Sequence, residues 1–503
     1  MKKRNLSALI SVYSKEGLNP ILEQFKKNKI NIYSTGGTYE YIKNQGFKVT
    51  AIEKITKYPS ILNGRVKSLH PKIFGGILAV KNKKSDKEDI NKYKIPLFDF
   101  VIVDLYPFKE TVKNTKDENK IIEKIDIGGI SLIRAAAKNY KHVTVVASKK
   151  EYNNFNKEIE KNKGSFTLTQ KKKFAEKAFK ESVYYDSCIY KYFTKNKTQN
   201  HFYIEEEKNL RYGENPHQEA SFYGDINKIL TQIHGKQISY NNLLDIDSAI
   251  NLIIEFNKPT FAILKHNNPC GVATNKVLKK AWKKALAGDP VSAFGGVIIT
   301  NSKINFETAK EIDKLFVEVL IAKDFDKKAL EVLKSKKNRI ILKLKKNKLP
   351  KTQFKTILNG VIKQTKDTSN EYSKMKVVTK KNISEKQKMD LIFANKICKH
   401  SKSNAITIIK NNQLIGSGVG QPSRIDALKQ AINKAKSFGF NLKGAVMSSD
   451  AFFPFSDCVK IASKHKITAI IQPGGSIRDQ ESIDLCNKNN ISMVFTNKRH
   501  FKH

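Results

Sequence analysis

Short β-branched runs alternate with amphipathic stretches over residues 1–148 of the 503-residue chain, and this alternation constrains the fold more than any other feature. Such runs predict strands, and apolar residues that recur at helical spacing predict helices. The strands are predicted at residues 8–12, 31–33, 77–80, 100–105 and 143–146, and the clearest helices at 18–28 and 131–139. Strands that alternate with helices are typical of a parallel sheet covered by helices. The N-terminal part is therefore predicted to be an α/β domain.

The chain is too long for a single hydrophobic core, so we expect more than one domain. A helical stretch at residues 169–193 is followed by residues 194–200, which are polar and lack periodicity. A segment of this kind favours a domain boundary. We therefore predict one domain at residues 1–199 and a second at residues 200–503.

The second domain is again α/β in its pattern, with longer excursions between the apolar runs. Two blocks, residues 200–380 and 381–503, are candidates for related halves, although no short-period repeat is present. The Lys-rich segment 334–356 is predicted to be a surface excursion, because a run of charges usually faces water.

The chain carries 93 Lys and Arg against 47 Asp and Glu, which gives a formal net charge of +46. An excess of this size is compatible with nucleic-acid binding, because basic side chains displace counterions from phosphate backbones. Only 8 of the basic residues are Arg, however, and the Lys are spread along the chain instead of forming one stripe. We therefore expect no specific nucleic-acid partner, although the positive field should attract anionic substrates.

Neither a membrane span nor a secretory signal is indicated by the sequence. No apolar run approaches the length of a membrane helix, and the basic N-terminus lacks the apolar stretch of a signal peptide. The 5 cysteines are far apart and never form a CxxC pair, which argues against a disulfide framework and a zinc knuckle. We expect a cytoplasmic protein with reduced cysteines.

Residues 34–38 (STGGT) follow a predicted strand and precede a helical stretch. Glycines in such a turn let backbone N–H groups converge on a phosphate at the helix N-terminus. Lys15 follows the first strand and should lie at the same carboxyl edge of the sheet, where α/β proteins bind ligands. A purely structural Gly-Gly turn is the alternative for residues 34–38.

Two further N-terminal segments bring ionisable side chains. Arg65, Lys67 and His70 lie close together in a segment (GRVKSLHP) that also fits a solvated basic loop. Asp126 precedes a Gly-Gly turn and an amphipathic helix that carries Arg134 and, four residues later, Lys138. A helix cap is the alternative role for Asp126.

In the second domain, Lys265 and His266 follow the apolar run 261–264 and begin the string KHNNPCG. The pair places a proton acceptor beside a cationic donor in one turn, although it also fits an exposed surface pair. Arg211 lies in an early turn, and arginine suits bidentate phosphate contacts. Six of the 8 arginines fall in such motif-like segments: Arg65, Arg134, Arg211, Arg424, Arg478 and Arg499.

The N-terminal strings SVYSKEGL, STGGT, GRVKSLHP, DLYPF and IDIGGISLIRAAAKN together resemble the cyclohydrolase domain of the bifunctional purine biosynthesis enzymes. This resemblance implies a fold similar to methylglyoxal synthase, with a core at about residues 1–148. It implies that ring closure is carried by Lys67, Tyr106, Asp126 and Lys138. The nucleotide phosphate would be held by Lys15, Ser34, Gly36, Gly37 and Thr38, and we add Arg65 to the substrate-binding residues.

The second domain resembles the aminoimidazole carboxamide ribonucleotide transformylase domain of the same family, through LRYGENPHQ, LKHNNPCG, SKSN and SSDAFFPF. The resemblance implies that Lys265 and His266 transfer protons and that Asn404 hydrogen-bonds near the formyl group. The implied ribonucleotide-binding residues are Arg211, Tyr212, Asn242, Arg424 and Arg499. The implied folate pocket consists of Phe452, Pro454, Phe455 and Asp457, with core packing as the alternative for both phenylalanines.

The same resemblance implies that the second domain is a duplicated α/β fold similar to cytidine deaminase. A catalytic zinc is not expected, because Ala273 stands where a PCxxC string would carry its second cysteine. The family suggests a structural monovalent cation and a homodimer, and its co-substrate is 10-formyltetrahydrofolate. We therefore expect formyl transfer followed by ring closure to inosine monophosphate. A nucleotide-phosphate sensor or nucleic-acid-binding protein that keeps the folds without turnover is the alternative.

Overall fold

The computed structural model describes residues 4–162, 164–194, 207–346, 349–370 and 372–503, without the side chains of Asn63 and Glu207. The chain divides into two compact units, Met1–Glu205 and Glu206–His503. Within the described ranges, no helix is both long enough and apolar enough to cross a membrane.

The N-terminal unit contains five strands and ten helices among its described residues. The strands are β1 Ser7–Ser11, β2 Asn31–Ser34, β3 Val49–Ala51, β4 Phe100–Val103 and β5 Thr144–Val146. The helices are α1 Asn19–Lys27, α2 Gly36–Asn44, α3 Glu53–Thr56, α4 Pro71–Leu78, α5 Lys84–Lys92, α6 Phe108–Asn114, α7 Glu118–Ile122, α8 Gly128–Lys138, α9 Tyr152–Lys161 and α10 Leu168–Phe193.

The five strands form one parallel sheet in the order β3-β2-β1-β4-β5. Every residue of β4 and the first four of β1 are buried, as expected for a parallel sheet with helices on both faces. The strand order reverses between β1 and β4. In open α/β sheets, ligands bind at the carboxyl ends of the strands beside such a reversal.

The strand predicted at residues 77–80 is wrong, because Ile77 lies in helix α4. Pro71 begins this helix, and the side chain of His70 caps it by accepting the N–H of Lys72 at 3.1 Å. Ile73 and Ile77 are four residues apart and fully buried, so they form one apolar helix face. The short apolar run was ambiguous because it fits either a strand or a buried helix segment.

The C-terminal unit contains sixteen strands and nine helices among its described residues. The strands are β6 Glu207–Asn209, β7 Ser221–Tyr223, β8 Leu230–His234, β9 Thr260–Lys265, β10 Asn268–Thr274, β11 Val297–Ile304, β12 Val319–Phe325, β13 Ile340–Leu344, β14 Thr352–Ile357, β15 Gly360–Thr365, β16 Lys376–Val377, β17 Ile406–Ile409, β18 Leu414–Gly418, β19 Val446–Ser449, β20 Ala469–Gln472 and β21 Ser492–Phe495. The helices are α11 Tyr240–Ile253, α12 Leu278–Gly288, α13 Pro290–Ala293, α14 Phe306–Asp313, α15 Lys327–Lys334, α16 Glu385–Lys399, α17 Arg424–Ser437, α18 Asp457–Lys464 and α19 Asp479–Lys488.

Two six-stranded sheets of this unit have the same topology. Their strand orders are β10-β9-β11-β12-β13-β8 and β18-β17-β19-β20-β21-β16. In each sheet three adjacent strands are parallel. The inner strand of a hairpin on one side and a single strand on the other side pair antiparallel to them. We refer to the segments that build these sheets as the first repeat (β8 to β13) and the second repeat (β16 to β21).

The expectation that residues 334–356 form a surface excursion is wrong for their central part. Ile340, Ile341 and Leu342 are fully buried in β13, the fifth strand of the first sheet. Arg339 is also buried, where it donates to Asp313 at 2.7 Å and to the carbonyl of Leu333 at 3.0 Å. The strand was not predicted because only three consecutive apolar residues are buried in it and charged residues flank them.

Candidate active sites

In the N-terminal unit, the loops after β1 and β4 meet where the strand order reverses. The carboxylate of Asp104, which follows β4, accepts the backbone N–H groups of Tyr13 and Ser14, which follow β1. Burial raises the pKa of Asp104, and these two N–H groups and Lys15 oppose that shift. The ammonium of Lys15 donates to the carbonyl of Val12 at 2.6 Å. The predicted phosphate-binding lysine is thus held at this edge of the sheet.

The turn after β2 lies beside the same edge. Ser34 and Thr38 are buried, and their hydroxyls donate to the carbonyls of Ile10 at 2.7 Å and Val12 at 2.9 Å. Both hydroxyls therefore fasten α2 and β2 to β1. A phosphate at this turn would be bound mainly by backbone N–H groups at the start of α2.

Lys67 reaches this turn from the basic loop. A Cβ atom added to Gly36 would lie 2.9 Å from the Lys67 Nζ, so the ammonium packs directly against the glycine backbone. Gly36 also has a φ of 51°, in the left-handed region that favours glycine. The structure thus brings Lys67 to the α2 N-terminus, while Gly37 has open space around its Cα.

Asp126 lies between Lys67 and Tyr106. Its carboxylate accepts the N–H of Gly129 at 2.6 Å, so it caps the start of α8. Burial raises the pKa of Asp126, opposed by the N–H groups of Gly129 and Tyr106 and by the charge of Lys67. The carboxyl group is therefore both a cap and an ionisable group beside a cation.

Two neighbours of Tyr106 were not predicted. The ring of Tyr13 contacts the ring of Tyr106 edge-on, with centroids 5.4 Å apart. The ammonium of Lys124 lies 4.8 Å from the Tyr106 centroid and 5.7 Å from that of Tyr13. Tyr13 and Lys124 stand two residues before Lys15 and Asp126, which is the signal that could have drawn attention to them.

Of three further predicted residues of this unit, Arg65 borders that cluster, because its partner Glu123 acts electrostatically on Tyr106, whereas Arg134 and Lys138 lie along α8. Arg65 makes a two-point contact with Glu123 at 3.1 and 2.7 Å, so its guanidinium already has an acidic partner. Arg134 donates to Ser182 at 3.5 Å, between α8 and α10. Lys138 is exposed at the far end of α8, about 15 Å along the helix axis from Gly128.

In the C-terminal unit, Lys265 is the last residue of β9, and His266 is the first residue of the β9–β10 hairpin turn. His266 and Asn267 have φ values of 51° and 65°, the left-handed pair that defines a type I′ hairpin turn. The His266 side chain is exposed, and Lys265 donates to the carbonyl of Phe294 at 2.8 Å. The structure thus presents an accessible imidazole on a rigid two-residue turn.

Asn404 lies close to this hairpin, although it is distant in sequence. The side chain of Asn268 accepts the N–H of Lys402 at 3.0 Å. The Asn404 amide donates to the carbonyls of Gln421 and Pro422, each at 2.9 Å. The segment that carries Asn404 is therefore fastened to the His266 turn.

Three predicted ribonucleotide-binding arginines each lie close to an aromatic ring. Arg424 donates to the buried carboxylate of Asp450 at 3.3 Å and lies 5.8 Å from the centroid of the Phe501 ring. Arg499 lies 4.3 Å from the same centroid. Arg211 is exposed, stacks on Tyr212 at 4.6 Å and donates to its hydroxyl at 2.8 Å.

The predicted folate residues and Asn242 differ in accessibility. Phe452, Pro454 and Phe455 are exposed, whereas Phe453 is fully buried, so core packing is wrong for Phe452 and Phe455. Asp457 begins α18, and its carboxylate accepts the N–H of Cys458 at 2.7 Å. Asn242 is buried in a capping box with Ser239, which gives its side chain a structural role.

Comparison with known families places these two sites in context. Residues 136–434 match the family model of the AICARFT/IMPCHase bienzyme, and residues 17–131 match that of the MGS-like domain. The first match covers more than half of the chain. The chain belongs to the AICARFT/IMPCHase bienzyme family.

Full-length relatives agree with this membership. The chain is 54% identical to the bifunctional purine biosynthesis protein PurH of Bacteroides thetaiotaomicron, over 100% of this chain and 99% of that protein. It is 46% identical to PurH of Aquifex aeolicus, over 99% of this chain and 100% of that protein. The predicted α/β fold, with an MGS-like N-terminal domain before the bienzyme domain, is confirmed.

The similarity to solved structures is weaker than the sequence similarity. The crystal structure of ForH is 29% identical and covers 38% of this chain and 100% of its own, with a TM-score of 0.34. A dCMP deaminase from cyanophage S-TIM5 is 15% identical over 22% of this chain, with a TM-score of 0.18. TM-scores this low do not establish a shared fold, so the likeness of the two repeats to cytidine deaminase stays a prediction. The bienzyme family membership rests on the sequence matches.

Proposed function

We propose that this chain catalyses the last two steps of inosine monophosphate synthesis. One step transfers a formyl group from 10-formyltetrahydrofolate to the 5-amino group of aminoimidazole carboxamide ribonucleotide. The other closes the formylated product to inosine monophosphate with loss of water. The single observation that carries this function is the full-length similarity to the PurH proteins. We assign ring closure to residues 1–199 and formyl transfer to residues 200–503.

Formyl transfer needs a base at the attacking amine. The lone pair of the 5-amino group is delocalised into the imidazole ring, so a proton must leave as nitrogen attacks the formyl carbon. Imidazole side chains can accept a proton near neutral pH, and His266 is exposed on its turn. The bond from the formyl carbon to the folate nitrogen then breaks, and that nitrogen takes a proton. Lys265 would donate to the formyl oxygen as it gains charge, and Asn404 would be a hydrogen-bonding partner beside the formyl group.

Ring closure needs a cation and an acid. The carboxamide nitrogen attacks the formyl carbon, and the formyl oxygen gains negative charge. That oxygen takes up two protons and leaves as water, while the carboxamide nitrogen and the formylated nitrogen each lose one proton. Lys67 supplies a positive charge beside the α2 N-terminus, and Asp126, whose pKa is raised by burial, can hold a proton for the departing oxygen. Tyr106 lies next to Asp126, because its N–H donates to that carboxylate.

The folate would bind against the exposed rings of Phe452 and Phe455. Exposed aromatic side chains offer flat apolar surface to a pterin or benzoyl ring. Arg478 lies 5.0 Å from the centroid of the Phe455 ring and would place a positive charge close to the glutamate tail of a folate. Arg211, Arg424 and Arg499 would hold the ribonucleotide phosphate.

A homodimer would cover the exposed apolar residues of the β14–β15 ribbon. Strands β14 and β15 pair only with each other among the described strands, and their turn residue Leu358 is fully exposed. Val361 and Ile362 are also about half exposed, at 49% and 50%. Exposed apolar residues that cluster on a two-stranded ribbon favour contact with another protein surface, so we assign a second copy of the chain as the partner of these residues. Light scattering should report a dimer for the native chain and a monomer for Leu358→Asp/Ile362→Asp. A monomeric native chain would exclude this partner.

We assign no step of this mechanism to a metal ion. The described residues contain no group of three or more His, Cys, Asp or Glu side chains that could hold a metal ion. For a structural monovalent cation, the Oδ2 atom of Asp450 is a candidate ligand, because it is buried and has no hydrogen-bond partner among the described residues.

The direct test is formation of inosine monophosphate, followed by absorbance, with ribonucleotide and 10-formyltetrahydrofolate both present. The proposal predicts steady turnover that depends on both substrates. A protein that binds the ribonucleotide but forms no product would instead be a sensor on the same folds.

A further inference from the structure

The two repeats of the C-terminal unit can be aligned residue by residue around the His266 turn. Four pairs of residues have the same spacing in the sequence and the same place in the fold: Ser239 and Ser384, Asp245 and Asp390, Lys265 and Lys410, Gly271 and Gly416. Both serines cap their helix in a capping box. Both glycines pack against a helix carbonyl, since an added Cβ would lie 2.1 and 2.3 Å from it. The second repeat is therefore an internal reference for the first.

An aspartate holds the hairpin turn in both repeats. In the second repeat, Asp390 of α16 accepts the N–H groups of Asn411 and Asn412, at 2.9 and 2.7 Å. In the first repeat, Asp245 of α11 accepts the N–H of Asn267 at 2.6 Å, and the N–H of His266 also donates to it. Asn411 and Asn412 have φ values of 54° each, so the turns also share their backbone conformation.

The repeats differ in what the turn presents. The first turn residue is His266 in one repeat and Asn411 in the other. Asparagine adopts the left-handed region more readily than most side chains, so His266 depends more on the contacts that hold its backbone. The first repeat also has an additional contact, from the hydroxyl of Ser248 in α11 to the side-chain oxygen of Asn267 at 3.1 Å. Phe393 occupies the equivalent position in α16.

The lysine that precedes the turn makes an equivalent hydrogen bond in both repeats. Lys265 donates to the carbonyl of Phe294 at 2.8 Å, and Lys410 donates to the carbonyl of Asn441 at 2.9 Å. This hydrogen bond is thus part of the shared framework. The first repeat therefore differs from the second by the imidazole of His266, whereas the aspartate that accepts the turn N–H groups is present in both repeats.

We propose that Asp245 is a positioning residue for His266, fixing the left-handed turn that presents the imidazole to the reacting amine. This inference rests on the proposed function of His266. Asp245 would act through the backbone of the turn and need not touch substrate. The surrounding charges are compatible with this role: burial and Glu318 raise the pKa of Asp245, and His266 and the turn N–H groups oppose that shift. Glu318 is itself paired with Lys236 at 2.9 Å.

The test compares the same substitution in the two repeats. Asp245→Ala should lower the transformylase kcat by about a hundredfold, because a small displacement of a catalytic group has effects of that size. The KM for the ribonucleotide should stay within about threefold, since the turn backbone is not assigned to binding it. Asp390→Ala removes the equivalent contact and should lower the melting temperature without changing kcat by more than about twofold. The isosteric variants Asp245→Asn and Asp390→Asn retain one acceptor, so they should fold and show the same contrast in weaker form.

A double-mutant cycle tests whether Asp245 affects the transformylase kcat through His266. If Asp245 acts through His266, the variant His266→Ala/Asp245→Ala should be no slower than His266→Ala alone. Equal loss of kcat in folded Asp245→Asn and Asp390→Asn, or native kcat in folded Asp245→Asn and Asp245→Ala, would overturn the inference. Normal turnover by His266→Ala would overturn the proposed role of His266 and this inference with it. An inactive His266→Ala beside a fully active Asp245→Ala would overturn the inference alone.

Discussion

The two candidate sites are built in different ways. The N-terminal site lies at the edge of a parallel sheet, where several loops meet and the candidate functional groups are lysines, backbone N–H groups and a buried carboxyl. The C-terminal site is centred on one exposed imidazole that a left-handed hairpin turn presents. A site with several cations should lose less activity, when its most important residue is removed, than a site that depends on one base. A site with one base should lose most of its activity at once.

The largest effect is therefore expected for His266→Ala. Removal of the base should lower the rate of formyl transfer by roughly two to four orders of magnitude, the usual span for general acid–base catalysis. The cyclohydrolase rate should be unchanged. Asn411→Ala is the matched control, because it alters the equivalent turn of the second repeat. Both rates and the melting temperature should be measured on the same preparations. Near-normal formyl transfer by folded His266→Ala would remove this residue from the mechanism.

Lys67→Ala should have the largest effect at the N-terminal site. Loss of the cation beside α2 should lower the cyclohydrolase rate by about two to three orders of magnitude, as for other donors to a developing oxyanion. Arg65→Ala should change that rate by less than about threefold, because its guanidinium is already paired with Glu123 in an exposed ion pair. The comparison needs only formylated ribonucleotide as substrate. A larger loss in Arg65→Ala than in Lys67→Ala would reverse the assignment.

Asp126→Asn should separate stability from activity. Burial raises the folded-state pKa of Asp126, so its contribution to stability is greatest at acid pH and is lost as pH rises through that pKa. Asparagine resembles the protonated form and can still accept the N–H of Gly129. The melting temperature of the variant should match the native value near pH 4 and equal or exceed it at pH 7, while the cyclohydrolase rate falls about a hundredfold. A lower melting temperature only at neutral pH would mean that the carboxylate is stabilising.

The smallest catalytic effect is expected at the folate surface. Phe455→Ala should raise the KM for 10-formyltetrahydrofolate about tenfold, because loss of one aromatic contact weakens binding by about 1–2 kcal/mol. Phe453→Ala is the matched control: this ring is buried, so its loss should destabilise the protein by about 3–5 kcal/mol. Unchanged folate KM in Phe455→Ala would place the folate elsewhere.

Part of the arrangement at the N-terminal sheet edge could be expected from the sequence. Parallel strands direct their carboxyl ends to one edge, so Lys15 after β1 and the turn at residues 34–38 after β2 could be expected to converge once the strands were known. Lys67 and Asp126 follow helices, so their approach to this edge could not be derived from the strand pattern. The structural role of the Ser34 and Thr38 hydroxyls could not be predicted from the motif, because it depends on how these residues pack against β1.

The C-terminal site depends on contacts that are remote in sequence. The link from Asn268 to Lys402 joins two repeats, and sequence spacing alone cannot show it. The role of Asp245 was missed because a carboxylate inside a helix has no local signal; it becomes visible only beside Asp390. The strand at Ile340–Leu344 was missed for a related reason, since its three core residues are surrounded by charges. Local pattern predicts elements, whereas their partners are fixed by tertiary packing.

The central claim is that two independent sites on one chain perform successive steps. Its most direct test is an equimolar mixture of His266→Ala and Lys67→Ala, given ribonucleotide and 10-formyltetrahydrofolate and assayed for inosine monophosphate. Neither variant alone should form the product at more than a small fraction of the native rate. The mixture should recover it, because Lys67→Ala still formylates and His266→Ala still closes the ring. Failure of the mixture, with both proteins folded, would contradict the division of the reaction between the two sites.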